Sequence, residues 1–124
     1  MIYKFTVKGR LDGQNDYIRA CRTNQYKGAK MKSDNEAKVM QAIYEQLGRL
    51  RIQKPVVMRY TWYEKNTRRD MDNISSFGRK VIQDALVKTK VLQNDGWSNI
   101  KGFLDRFFVD KENPRIEVEI EVIE

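Results

Sequence analysis

Two aspartates two residues apart, Asp70 and Asp72, follow two arginines and precede an asparagine in the run Arg68-Arg69-Asp70-Met71-Asp72-Asn73. In extended chain, side chains alternate with period two, so both carboxylates point the same way. Just ahead of a helix they also face the positive pole of its dipole. Such a pair can hold a hard cation through oxygen, since Mg²⁺ usually takes one or two protein carboxylates and leaves its other positions to water and phosphate. Arg68 and Arg69 are placed to grip neighbouring phosphates. Downstream, Asn73, Lys80 and Asp84 fall along one stripe of a helix. A lysine there can neutralise the charge of a phosphate under attack, whereas Arg79, by the same phase, points away. Asp95 follows the same helix and can close on the site from its far end. The plainer alternative makes Asp72 an N-cap, Asp95 a turn residue, and Lys80 with Asp84 an i,i+4 pair worth about 0.2–0.5 kcal/mol.

Composition narrows the chemistry. The chain has 124 residues and no histidine, which excludes histidine bases, His-ligated zinc and His-based triads. A single cysteine, Cys21, rules out an internal disulfide and makes no structural zinc site alone. The net charge is +7, and it is unevenly spread. Residues 1–54 carry twelve Lys/Arg against five Asp/Glu, and residues 112–124 one against five. A basic body suits a phosphate-rich partner. No run of about 18 apolar residues is present to span a membrane, and the N-terminus lacks a signal-peptide pattern, so a cytoplasmic protein is expected.

The elements that must position these residues are read from periodicity. Tyr3, Phe5 and Val7 alternate with polar residues as in a half-buried strand. From Gly9 to Lys32 periodicity fails, and a long connection is expected. Its Arg10, Arg19, Arg22, Lys27, Lys30 and Lys32, interleaved with Tyr17 and Tyr26, suit phosphate neutralisation and base stacking; a solvated loop is the alternative. Ser33-Asp34-Asn35-Glu36 matches a capping box, and Met40, Ile43, Tyr44, Leu47 and Leu50 continue a helix over about 34–50. After Pro55, residues 56–63 are apolar or aromatic on both faces, as in a central strand. A second helix, capped by Asp72 or Asn73, carries Ile74, Phe77, Gly78, Val81, Ile82, Ala85 and Leu86 to about Lys88. Asn94-Asp95-Gly96 is a turn. Residues 100–109 are assigned to a strand, although Phe103, Leu104, Phe107 and Phe108 also fit a helix. Arg115–Val122 alternates cleanly as a last strand. The expectation is one α+β domain over 1–124, a small mixed sheet with two main helices packed on it, in the order β-α-β-α-β-β.

Arg68-Arg69-Asp70-Met71-Asp72-Asn73, then Gln83-Asp84-Ala85-Leu86, then Val91-Leu92-Gln93-Asn94-Asp95, together resemble the RusA-type Holliday junction resolvases, small endonucleases mostly associated with phages and prophages. The likeness spans roughly residues 55–120. It implies that Asp70, Asp72 and Asp95 are metal-binding catalytic aspartates and that Lys80 is the catalytic lysine, on a helix one turn longer than in the shortest members. The family often has two aspartates where this chain has Asn94-Asp95. The resemblance further implies hydrolysis of DNA phosphodiesters to 5′-phosphate and 3′-hydroxyl ends, dependence on Mg²⁺ with Mn²⁺ as a substitute, four-way junction DNA as substrate, and a homodimer. The C-terminal strand or the strand 56–63 is the expected source of a dimer edge. Arg68, Arg69, Asn73, Arg19, Arg22, Lys27, Lys30 and Lys32 are the expected DNA contacts. The competing expectations are a non-catalytic nucleic-acid-binding module and a nuclease of the same fold for other branched DNA.

Overall fold

The computed structural model describes all residues from Met1 to Glu124. In chain order the elements are β1 (Ile2–Lys8), α1 (Gln14–Thr23), α2 (Gln25–Leu47), β2 (Val56–Glu64), α3 (Met71–Lys88), β3 (Ile100–Val109) and β4 (Arg115–Val122). The four strands form one mixed sheet in the order β1-β4-β2-β3. β4 runs antiparallel to both β1 and β2, and β2 is parallel to β3. The α+β class and the expected strands are as the periodicity indicates, residues 100–109 forming a strand.

β2 is buried at every second residue, Val56, Met58, Tyr60, Trp62 and Glu64, because its neighbours cover both edges and the helices cover one face. β1 adds Phe5 and Val7 to the same face, and β4 adds Ile116, Val118 and Ile120. Against them α3 packs Ile74, Phe77, Val81, Ile82, Ala85 and Leu86. Gly78 lets α3 approach β2, since a Cβ there would come within 2.9 Å of the Trp62 ring. The other sheet face carries charge: Lys4 pairs with Glu119, Arg59 with Glu121, and Arg115 with Glu117.

Three expectations are corrected. The segment 9–32 is mostly helix: α1 fills residues 14–23, and α2 starts at Gln25, where Asn24 caps it by accepting from the Lys27 N–H at 2.9 Å. Ser33 therefore lies inside α2 and starts no helix. Glu36, the supposed capping glutamate, is buried and accepts from Lys88 Nζ at 2.6 Å. Buried Asn35 donates to Asp12 and to the Met31 carbonyl, both at 2.7 Å, tying the chain ahead of α1 to α2. The third correction concerns the edges. β2 and β4 are interior strands, so neither offers an unpaired edge; the free edges belong to β1 and β3.

Candidate active site

β1, β2 and β3 all end at the same side of the molecule, and α3 starts there. β2 delivers Glu64, which is buried and accepts from Arg69 Nε and a second guanidinium nitrogen, each at 2.9 Å. The remaining Arg69 terminal nitrogen donates to the Leu11 carbonyl at 3.0 Å. Arg10 stands 3.6 Å from the same carboxylate. A bidentate pair held this way fixes the turn 65–69, and with it the position of Asp70. Arg69 is thus committed to protein partners, while the exposed side chain of Arg68 has no protein partner.

Asp70 is the extended N-cap of α3, with φ −67° and ψ 154°, and its carboxylate makes no capping bond. Asp72 lies in the first helical turn. The premise of two residues in one extended run therefore holds for Asp70 alone, because the helix begins at Met71 rather than after the pair. Both carboxylates are exposed and neither takes part in a salt bridge. They open onto a cavity of about 690 Å³ whose apolar wall is Met71, Ile74, Phe107, Phe108 and Val109. Asn73 turns the other way. Its Oδ1 accepts from the Asn15 N–H at 2.7 Å, and Gly13 lies so close that a Cβ would come within 2.6 Å of it. Asn73 is consequently what seats α1 on α3, with Tyr17 stacked on Phe77 beside it at 4.6 Å.

Lys80 and Asp95 do meet. The Lys80 ammonium donates to Asp84 at 2.9 Å and to Asp95 at 3.1 Å, and Lys32 from α2 reaches Asp84 at 2.8 Å. The hydrogen bond to Asp84 and then the contact with Asp95 push the Lys80 pKa up against its partial burial; Lys32 rises for the same reason, its bond to Asp84. For Asp84, burial opposes ionisation, and the bonds from Lys32 and Lys80 overcome it, leaving its pKa lowered. Lys80 is therefore a fixed cation at neutral pH and no proton acceptor. Arg79 turns toward the sheet as the helical phase requires, pairing with Asp105 and lying 4.2 Å over the Phe103 ring.

Asp70, Asp72 and Asp95 are not gathered into one cluster: no group of three acidic or cysteine side chains is arranged to hold a metal. Eight residues of α3 separate Asp72 from Lys80, about 12 Å of helix rise. One chain thus offers two free carboxylates at the start of α3, and a third, Asp95, beyond its far end and neutralised by Lys80. Two open carboxylates still fit a magnesium ion that relies on water and phosphate for its other ligands.

Beside Asp70, a polar cleft of about 610 Å³ is lined by Arg10, Lys38, Lys65, Arg68 and Arg69 together with Asp12, Asp16 and Asp34. Arg10 was read from the sequence only as part of a basic stretch, and Lys38 and Lys65 were not singled out, because only the tertiary fold brings residues 10, 38 and 65 together. Of the expected DNA contacts, Lys30 is paired with Asp34 at 2.7 Å, Lys32 with Asp84, and Arg19 loosely with Asp16 at 3.9 Å. Arg22 and Lys27 are exposed and unpaired.

Unpaired carboxylates at a helix start, next to a cleft rich in arginine and lysine, are the residue types that binding a phosphate group calls for. The family profile for Endodeoxyribonuclease RusA matches residues 11–121. The chain belongs to that family, and so to the nucleases that hydrolyse DNA internally. A comparison with curated proteins returned no match. No helix is long and apolar enough to cross a membrane.

Proposed function

We propose that this protein is a Mg²⁺-dependent, structure-specific endonuclease that resolves four-way DNA junctions as a homodimer. The observation that carries the reading is the free Asp70/Asp72 pair beside the basic cleft, in a chain of the RusA family. Of the other carboxylates bordering these two cavities, Glu64 is taken by Arg69, Asp34 by Lys30 and, loosely, Asp16 by Arg19, while Asp12 accepts from Asn35. Asp70 and Asp72 would hold the ion, with Mn²⁺ able to replace Mg²⁺, and Asp95 is the third acidic residue of the reading. When bound, the cation activates water and neutralises charge at the scissile phosphate.

The rest is done by the chain itself. Arg68, Arg10 and Lys65 supply positive charge along one side of the cation site and draw in a phosphodiester backbone. Arg69 and Glu64 fix Asp70 against the end of β2. Lys80, kept protonated by Asp84 and Asp95, places a permanent positive charge on the exposed stripe of α3, where it can oppose charge building on the phosphate. Asn73 acts through α1, which carries Arg19 and Arg22 to the same side, rather than on DNA directly. A four-way junction must be nicked in two opposed strands, which suits a two-fold protein.

The test is a labelled four-way junction incubated with purified protein, with and without Mg²⁺, alongside linear duplex and flap DNA. Paired nicks in the junction alone, dependent on Mg²⁺, are expected. Cleavage by wild type no greater than by Asp72→Asn would end the catalytic reading and favour a binding module; preferential cleavage of flaps would move the substrate to other branched DNA.

A further inference from the structure

The two tryptophans of the chain are in opposite situations. Trp62 lies in the core at 1% exposure, whereas Trp97 is 96% exposed, more than any other large apolar side chain. A tryptophan left in water forgoes about 150–250 Å² of burial. A lone exposed apolar residue asks for no explanation, but Trp97 is one wall of a cavity of about 310 Å³ shared with Gln83, Asp95, Ile100, Lys101 and Phe103. That volume is at the low end for small-ligand sites, about 300–1,000 Å³. The turn that presents Trp97 is fixed, since the Asn99 and Ile100 N–H groups both donate to the Gly96 carbonyl at 3.0 Å. Asp95 opens this turn and accepts from Lys80 at 3.1 Å, so the cavity adjoins the Lys80 end of α3. Gln83 is anchored through Nε2, which donates to the hydroxyl of buried Tyr60 at 3.0 Å, and its carbonyl oxygen accepts from no protein group. Phe103 is half exposed, with Arg79 over one face of its ring at 4.2 Å.

We propose that this cavity receives one unstacked nucleobase of a bound DNA strand, its flat face on Trp97 and its edge on the Gln83 amide. Charge and shape select that occupant. A chain of net charge +7 attracts polyanions. Exposed Lys101 in the cavity wall and Lys80 behind Asp95 put two ammonium groups where the phosphate of the same nucleotide can sit. An apolar peptide would gain nothing from either lysine. Stacking on an aromatic side chain tightens binding by about tenfold per base, and a primary amide matches the adjacent donor and acceptor of a base edge. In intact duplex both faces and the pairing edge of a base are occupied. Entry therefore costs least at a branch point, where pairing and stacking are interrupted. Trp97 thereby distinguishes branched from linear DNA, and Gln83 the base at that point. The base site stands on the cavity itself; its use in cleavage rests on the nuclease reading.

Tryptophan fluorescence in EDTA reads this directly, because Trp62 is buried and the water-exposed emission comes from Trp97. A four-way junction is expected to quench wild type and not Trp97→Phe, and linear duplex to quench neither. Trp97→Ala is expected to bind the junction about tenfold more weakly in a gel shift, with the circular dichroism of wild type. Across junctions that differ only in the base at the branch point, Gln83→Ala is expected to narrow the spread of wild-type affinities; an unchanged spread overturns the edge contact. Junction binding without quenching, or equal quenching by duplex, overturns the base site. So does emission that shifts with protein concentration before DNA is added, since another copy then covers Trp97. Should a variant fail to fold, wild-type quenching by junction and duplex decides. A wild type quenched by the junction that cuts no DNA in Mg²⁺ overturns the nuclease reading and upholds the base site. One that cuts the junction without quenching, and no faster than Trp97→Ala does, upholds the nuclease reading and overturns the base site.

Discussion

The two ends of α3 carry carboxylates in opposite electrostatic states. At its start, Asp70 and Asp72 are exposed and unpaired; more than three turns along, Asp84 is held by Lys80 and Lys32, and Asp95, beyond the end of the helix, by Lys80. A carboxylate already neutralised by lysine gains little from a cation, whereas two free ones at the positive end of a helix repel each other and gain much. The first end is therefore where a metal is worth holding, and the second is where a fixed positive charge is worth keeping. Nuclease chemistry needs both, and here one helix separates them.

Substitutions at each end should differ accordingly. The largest effect is expected from Asp72→Asn, which should lower junction cleavage about 10²–10³-fold while leaving junction binding intact in a gel-shift assay. Next comes the clamp below that end. Glu64→Gln strands Arg69 in a mostly buried site and should cost about 3 kcal/mol in urea unfolding, since Glu64 and Arg69 side chains are only 8% and 17% exposed. Lys80→Ala should reduce the cleavage rate about tenfold, and Lys80→Arg should recover part of it. The pH–rate profile should then show no step from Lys80 near neutrality, its pKa being raised.

Smaller effects distinguish the ends further. Asp84 has a lowered pKa in the folded state, so its contribution to stability is present above the ordinary carboxylate range and is lost as pH falls through the lowered value. Asp84→Asn should flatten that acid-side loss in thermal melts by well under about 1 kcal/mol, the lysine partners being solvent-exposed enough to screen the pair. Smallest is Arg68→Ala, which should weaken binding to all junction sequences alike and reduce the slope of log K against log salt by about one.

What the sequence made legible follows from which signals are local. β2, α3 and β4 were readable because their apolar residues repeat at the period of the element. α1 was not, because it buries no residue fully and its inward positions are Tyr17 and the small Ala20 rather than a run of leucines. The start of α2 was missed because a capping-box pattern at Ser33–Glu36 imitates a helix start, while the actual cap is Asn24. Asp70, Asp72, Lys80 and Asp95 were named as candidates from spacing and resemblance; the structure brings Lys80 to Asp95 and gathers the three aspartates into no cluster. The commitment of Arg69 to Glu64 was hidden, since an arginine beside an aspartate reads as a phosphate ligand until its partner five residues upstream is seen in space. The edge position of β3 was hidden for a similar reason: strand order is a property of the whole sheet and leaves no mark on a single strand.

The most direct test of the contrast between the two ends is a calorimetric titration of Mg²⁺ into wild type, Asp70→Asn/Asp72→Asn and Asp84→Asn. The account predicts that wild type and Asp84→Asn bind the ion alike and that the double variant loses the binding isotherm. A double variant that titrates as wild type does would contradict it.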